Sequence, residues 1–185
     1  MVEVKKWRKM KILLKIIFVF LIYMISGKLG HLITVPPDFA TAIWPPAGTA
    51  LALSLLWGNI VLIGAFMGAI CINLSFILSS PSTTVGSITT VITSLTFVGF
   101  GSILAIFIAR RLIIKKTNYP NTLKSEKSIL LFFLLGGPLP SIISALIGVI
   151  SLTFAGIISI DNIFRNLFTW WAGDTLGILI FSPLS

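Results

Sequence analysis

An aspartate, Asp174, stands inside Phe164 to Gly177, FRNLFTWWAGDTLG, a stretch otherwise suited only to lipid. With a helix starting near Arg165, Asp174 lies nine residues in, about 13 Å along the axis and near the middle of a hydrocarbon layer roughly 30 Å thick. A carboxyl at that depth costs about 3 kcal/mol on insertion scales. Such a group faces a bundle interior or a wet cavity, where it hydrogen-bonds or takes up a proton. Arg165 cannot neutralise it, because nine positions at about 100° each put the two side chains on opposite faces of one helix. The partner must come from another helix.

Thr41 to Gly58, TAIWPPAGTALALSLLWG, offers one. Pro45 and Pro46 lack amide protons and suit a first helical turn, so the helix is predicted to run from Pro45 to Trp57. Thirteen residues span only about 20 Å, too little to cross a bilayer, and the start of this helix is expected below the outer surface. There the free amides of Ala47, Gly48 and Thr49, with the positive end of the helix dipole, would point toward Asp174. An equally weighted reading makes Trp44 an interfacial anchor and the prolines a plain helix start. Asn73, polar in the outer half of the third apolar run, is more often an interhelical hydrogen bond than a ligand contact. His31 falls in an expected loop, where a lone histidine is usually solvated rather than a sensor.

Together Asp174, the amides after Pro46, Asn73 and the aromatics Trp44, Trp170 and Trp171 form a polar centre in an apolar bundle. Such a set resembles a small-ligand pocket and equally a structural knot. Other chemistry has no residues to carry it. The chain has no H-E-x-x-H, P-loop, nucleophile elbow or Gly-rich dinucleotide loop, one histidine, one cysteine (Cys71) and no second membrane acid beside Asp174. Neither an enzyme, a cofactor nor a metal site is expected.

The elements that must position these residues are apolar helices. Apolar residues make up 56% of the 185, and mean hydropathy is +1.06, which indicates an all-α, polytopic membrane bundle. A net charge of +9 does not mean nucleic acid. Lys5, Lys6, Arg8, Lys9, Lys11 and Lys15 form one basic block, and Arg110, Arg111, Lys115, Lys116, Lys124 and Lys127 a second, each beside an apolar run. Blocks of that kind mark cytoplasmic segments. Only Lys28 and Arg165 remain for the outer side.

Six transmembrane helices follow, over about 12–29, 43–57, 60–78, 88–109, 128–155 and 165–183, with both termini cytoplasmic. Residues 1–11 are a basic N-terminus whose signal-like apolar run lacks an A-x-A-like cleavage site, so the first helix is retained. Pro36, Pro37 and Asp38 belong to an outer loop, and Ser79 to Ser87 to another. Gly64, Ala65, Gly68 and Ala69 form a small-residue stripe that lets a neighbouring backbone come close, as do Gly99 with Gly101, and Ser141, Ser144, Ala145 and Gly148. Gly136 to Pro140, GGPLP, should kink or unwind the fifth span.

Several motifs occur in the order seen in one family: IWPPAGTALAL at Ile43 to Leu53, GAFMGAICINL at Gly64 to Leu74, RRL at Arg110 to Leu112, SALIGVISL at Ser144 to Leu152, and FTWWAGDTLGILIFSPL at Phe168 to Leu184. Over nearly its whole length the chain resembles the bacterial membrane-associated sensor domain of the first type. The resemblance marks Trp44, Pro45, Pro46, Gly48, Trp171, Gly173, Asp174, Gly177 and Pro183. It implies an inner-membrane sensory module over 12–185, an undefined stimulus, and a histidine kinase, diguanylate cyclase or phosphodiesterase as output. The expected partners are the bilayer, a separate histidine kinase or cyclase, and a second copy in a homodimer. Members typically carry two further spans after the acidic helix and then the output domain, whereas this chain stops at Ser185, as an incomplete input domain or a stand-alone relative would.

Two alternatives remain. One is the substrate-binding membrane component of a vitamin-type importer, which has similar length and six spans; its Ala-x-x-x-Ala docking stripe is missing from Ile12 to Ile33, which holds no alanine. The other is a remnant bundle without output.

Overall fold

The computed structural model describes residues 2–34, 41–79, 87–117, 119–120 and 125–183, with backbone alone for residues 2–6. The expected loop residues Pro36, Pro37 and Asp38, the loop over 80–86, and Asn118, Asn121 and Lys124 lie outside the described residues. Among the described residues every regular element is helical: α1 (Val2–His31), α2 (Pro45–Trp57), α3 (Val61–Ser79), α4 (Ile88–Lys116), α5 (Glu126–Gly136), α6 (Pro138–Phe154) and α7 (Ile163–Phe181).

The boundaries follow local chemistry. α2 has its first two positions filled by Pro45 and Pro46 and runs the expected thirteen residues. It ends at Gly58, whose φ of 78° is left-handed and open to glycine at little cost. One 3-10 turn later α3 starts back. Ser87 caps α4 by accepting from the Thr90 amide, and Ser125 caps α5 by accepting from the Ser128 amide. The fifth apolar run is two helices, broken at Gly137 between the glycine and proline pairs, because Pro138 and Pro140 cannot supply the amides a continuous helix needs.

Two ends differ from expectation. α1 passes through Gly27 and Gly30 to His31, beyond the expected end at about residue 29. A helical glycine costs only about 1 kcal/mol, and both glycines sit where a methyl group would collide, Gly27 against Ile72 and Gly30 against Trp44. α4 continues past residue 109 to Lys116, since Arg and Lys are good helix formers once clear of the apolar layer.

The bundle is built from hairpin-like neighbours. α1 packs mainly on α3, α4 on α6, and α7 on both α2 and α6. Gly64 and Gly68 take α1 closely, against Ile16, Val19 and Tyr23, and Ala65 and Ala69 are fully buried. One apolar cluster joins α1, α2, α3, the last half of α4 and α5 around Leu51, Ile72 and Ile113. A second joins the end of α3, the start of α4 and α6 around Leu95, Val149 and Leu152. Large apolar side chains cover the outside, among them Leu13, Leu14, Leu21, Phe97, Phe100 and Leu146, as expected where the solvent is acyl chain. Four stretches, Trp7–His31, Pro45–Ser79, Ile88–Lys116 and Glu126–Phe154, are long and apolar enough to cross a membrane.

Candidate functional site

The site begins with a seam between two backbones. The segment from Thr41 to Gly48 lies along α7, with Thr41 beside Gly173, Trp44 beside Gly177, and Gly48 beside Gly177 and Phe181. A Cβ on Gly173 would come within 2.2 Å of the Thr41 carbonyl oxygen, and one on Gly48 within 2.1 Å of the Gly177 oxygen. Ordinary side chains do not fit there. The Trp44 amide donates to the Gly173 carbonyl at 2.9 Å, which ties the turn before α2 to the middle of α7. Pro45 and Pro46 are buried in this seam, where the absence of two amide protons leaves no donor stranded in an apolar contact.

Asp174 sits between the two seam glycines and is only 5% exposed. The Ser144 hydroxyl of α6 and the indole of Trp170, one turn earlier on α7, approach its carboxyl as donors, the hydroxyl without reaching full hydrogen-bond geometry. The expected donors are not used in this way. The Ala47 amide turns back onto the Trp44 carbonyl at 3.2 Å, because the start of α2 meets α7 by close backbone packing, which leaves its amides on local carbonyls. The helix start is therefore beside Asp174 without being its ligand.

Tyr23 of α1, 2% exposed, places its hydroxyl with the Trp44 indole and the Ser102 hydroxyl, close to Asp174. A cavity of about 20 Å³ opens next to them, lined by Trp44, Asn73, Ser102, Trp170 and Asp174, with His31 and Thr41 at the α1 end. That volume holds one or two water-sized molecules. The polar lining is biased toward acceptors. Thr41 donates to the Ile43 carbonyl at 2.8 Å, Asn73 donates through its side-chain amide to the Ala69 carbonyl at 2.8 Å, and Ser102 donates to the Val98 carbonyl at 3.1 Å.

Of the residues singled out from sequence, Asp174, Trp44, Asn73 and Trp170 meet at this cavity. Pro45, Pro46, Gly48, Gly173 and Gly177 build the seam that holds it. Trp171 does not line it, which corrects its expected place in the aromatic wall. One residue further along the helix it is turned by about 100°, and its indole donates to the Pro138 carbonyl at 2.9 Å, tying α7 to the α5–α6 break. His31 is not a solvated loop residue. It ends α1, stacks on Phe76 at 4.1 Å and stands edge-on to Trp44 at 5.1 Å, with both ring nitrogens buried and without a hydrogen-bond partner.

Sequence reasoning passed over Tyr23, Thr41 and Ser102, and treated Ser144 as packing alone. Tyr23 carried a signal, as the single phenol of the first apolar run. Ser102 and Thr41 carried none, since hydroxyls on apolar helices mostly bond their own backbone. At the opposite end of α2 a second constellation appears. Arg110 of α4 donates through Nε to the Ser54 carbonyl at 2.8 Å and through Nη1 to Asn59 at 3.1 Å, and the Tyr119 hydroxyl donates to the Leu55 carbonyl at 2.6 Å. Tyr119 satisfies a carbonyl of the last turn of α2, and Arg110 adds a second donor to the Ser54 carbonyl, which already accepts from the Gly58 amide.

The MASE1 family model matches residues 15–185. No curated protein matches the chain, and no solved structure does.

Proposed function

The chain belongs to the MASE1 family of membrane-associated sensor domains, and from that premise we propose that it is the integral-membrane sensory input of a bacterial signalling system in the inner (plasma) membrane. In this reading the bundle over 12–185 makes six passes, by α1, α2, α3, α4, the broken pair α5–α6, and α7, with residues 1–11 and the C-terminus in the cytoplasm. Arg110 and Tyr119 meet the C-terminal end of α2, and Lys15 lies over Trp57 there at 5.2 Å. Lys15 of the first basic block and Arg110 of the second thus meet at one end of the bundle, the arrangement that the positive-inside rule assigns to the cytoplasm.

The observation that carries the proposal is Asp174, buried beside a small cavity to which α1, α3, α4 and α7 and the turn before α2 all contribute. A stimulus bound there with different affinity in two helix arrangements would shift their populations. α2 is suited to pass the shift on. Its first turn is fastened to α7 at Gly173 and Gly177, and its last turn to α4 by Arg110 and to the segment after α4 by Tyr119. The reader of that movement is a cytoplasmic kinase or cyclase, either downstream on the same polypeptide or as a separate partner.

The test is Asp174→Asn in the chain joined to its output domain or co-expressed with its partner, with kinase autophosphorylation or cyclic di-GMP as the readout. The variant is expected to lock or lose the response at unchanged membrane abundance. A normal response range at normal abundance would leave Asp174 a folding residue and remove the proposed sensing centre.

A further inference from the structure

The lining of the cavity beside Asp174 is unbalanced in a way that specifies a ligand. The two hydroxyls there spend their protons on carbonyls of their own segments, Thr41 on Ile43 and Ser102 on Val98, and so can only accept from a ligand, while Asn73 gives one of its two amide protons to Ala69 and keeps its carboxamide oxygen as a further acceptor. The Asp174 carboxylate has about four acceptor positions, and Trp170 and Ser144 are the side chains that approach it as donors. His31 adds two buried ring nitrogens without partners, of which a neutral imidazole offers one as an acceptor and the other as an N–H donor. Two indoles, Trp44 and Trp170, complete the lining, and aromatic rings favour cations. Among the described residues no lysine or arginine lines the cavity.

We propose that this cavity is a binding site for a small monovalent cation that is itself a hydrogen-bond donor, of the ammonium or primary methylammonium class. A buried carboxyl, several oxygen acceptors and aromatic walls together match an N–H cation. They match an anion poorly, since it would face the Asp174 carboxylate. The volume of about 20 Å³ sets the size limit, because it admits one or two water-sized groups and excludes a tetramethylammonium ion or an amino acid. Sodium and potassium fit by size and meet the same oxygen lone pairs, but they favour a shell made of oxygens, whereas indole faces and an imidazole make up much of this lining. The assignment deepens the sensory reading of the same site and rests on that reading only for what occupancy would cause.

The experiment is a titration of the purified full chain in lipid nanodiscs, followed by tryptophan fluorescence and thermal unfolding. Ammonium chloride and methylammonium chloride are compared with sodium, potassium and tetramethylammonium chlorides at matched ionic strength. Ammonium and methylammonium should give a saturable fluorescence change and a higher Tm, with no saturable response to the other three. Asp174→Asn should shift the midpoint at least tenfold. Ser102→Ala, which removes one acceptor together with a bond to its own helix and the hydroxyl beside Tyr23, should shift it roughly threefold to tenfold, the worth of one hydrogen bond. It keeps the test meaningful if Asp174→Asn does not fold. Absence of a saturable response in the folded chain, equal responses to potassium or tetramethylammonium, or an unshifted midpoint in Ser102→Ala would overturn the proposal. Cation binding with an output indifferent to Asp174 would remove the sensory reading and leave the site. An output that depends on Asp174 without any cation binding would do the reverse.

Discussion

Replacing Gly177 by alanine tests the seam on which the site depends. The new Cβ would stand 2.0 Å from the carbonyl oxygen and 2.6 Å from the carbonyl carbon of Trp44. Ordinary contact begins at 3.4 Å, so moving from 2.0 Å to that distance requires the turn before α2 to retreat by 1.4 Å. Neither colliding atom belongs to a flexible side chain. The bond from the Trp44 amide to the Gly173 carbonyl, 2.9 Å long, cannot survive such a shift. Overpacking of this kind costs about 1–3 kcal/mol, the lost hydrogen bond about 1 kcal/mol, and the better helix propensity of alanine returns up to about 1 kcal/mol. Gly177→Ala should therefore destabilise the bundle by roughly 1–3 kcal/mol. Reversible unfolding in mixed micelles of a mild detergent and dodecyl sulfate, read by tryptophan fluorescence, measures the loss. Thr96→Ala serves as the control, because Thr96 is exposed and bonds only its own helix. It should stay within about 0.5 kcal/mol of the parent. A Gly177→Ala bundle as stable as that control would mean that α2 and α7 do not meet by their backbones, and the placement of Trp44 beside Asp174 would fall with it.

Three further outcomes are expected. Trp171→Phe removes the bond to the Pro138 carbonyl and should lower stability by about 0.5–1.5 kcal/mol in the same unfolding assay, without changing the cation titration of the Asp174 cavity. Tyr119→Phe frees the Leu55 carbonyl and should cost a similar 0.5–1.5 kcal/mol. In an output-coupled chain it should also weaken the response while leaving ligand binding intact, as measured by the titration and the signalling readout side by side. His31→Phe keeps a ring against Phe76 and deletes two buried nitrogens that lack partners; it should stabilise the ligand-free bundle by up to about 1 kcal/mol while weakening ammonium binding.

Much of the helix map was legible from residue order because it depends on local chemistry. Pro45 and Pro46 announce the start of α2 by what they lack, the GGPLP segment announces the break between α5 and α6 for the same reason, and the small residues of α3 announce close packing. The site was legible in part. Trp170 and Trp171 stand four and three residues before Asp174, so periodicity put both near its helix face and could not choose between them. Gly173 and Gly177 lie on that seam too, but which backbone they would admit could not be read from α7 alone. Tyr23, His31 and Ser102 are separated from Asp174 by 72 to 151 positions, and no local rule relates them.

From its sequence alone this protein is determined to be a set of apolar helices in a fixed order, with basic ends, one acid among them, and glycines where Cβ atoms are forbidden. These are properties of single segments, governed by side-chain transfer to lipid, backbone donors and helix propensity. Only the tertiary structure decided how far each helix is rotated about its own axis against its neighbours. That rotation puts Tyr23 and Ser102 beside Asp174, swings Trp171 to the α5–α6 break, draws His31 over the cavity and leaves the α2 amides bonded locally. The physical reason is that helical periodicity relates side chains within one helix, whereas the angle between helices is set by the closest approach their surfaces permit, here the contact of Thr41, Trp44 and Gly48 with Gly173 and Gly177.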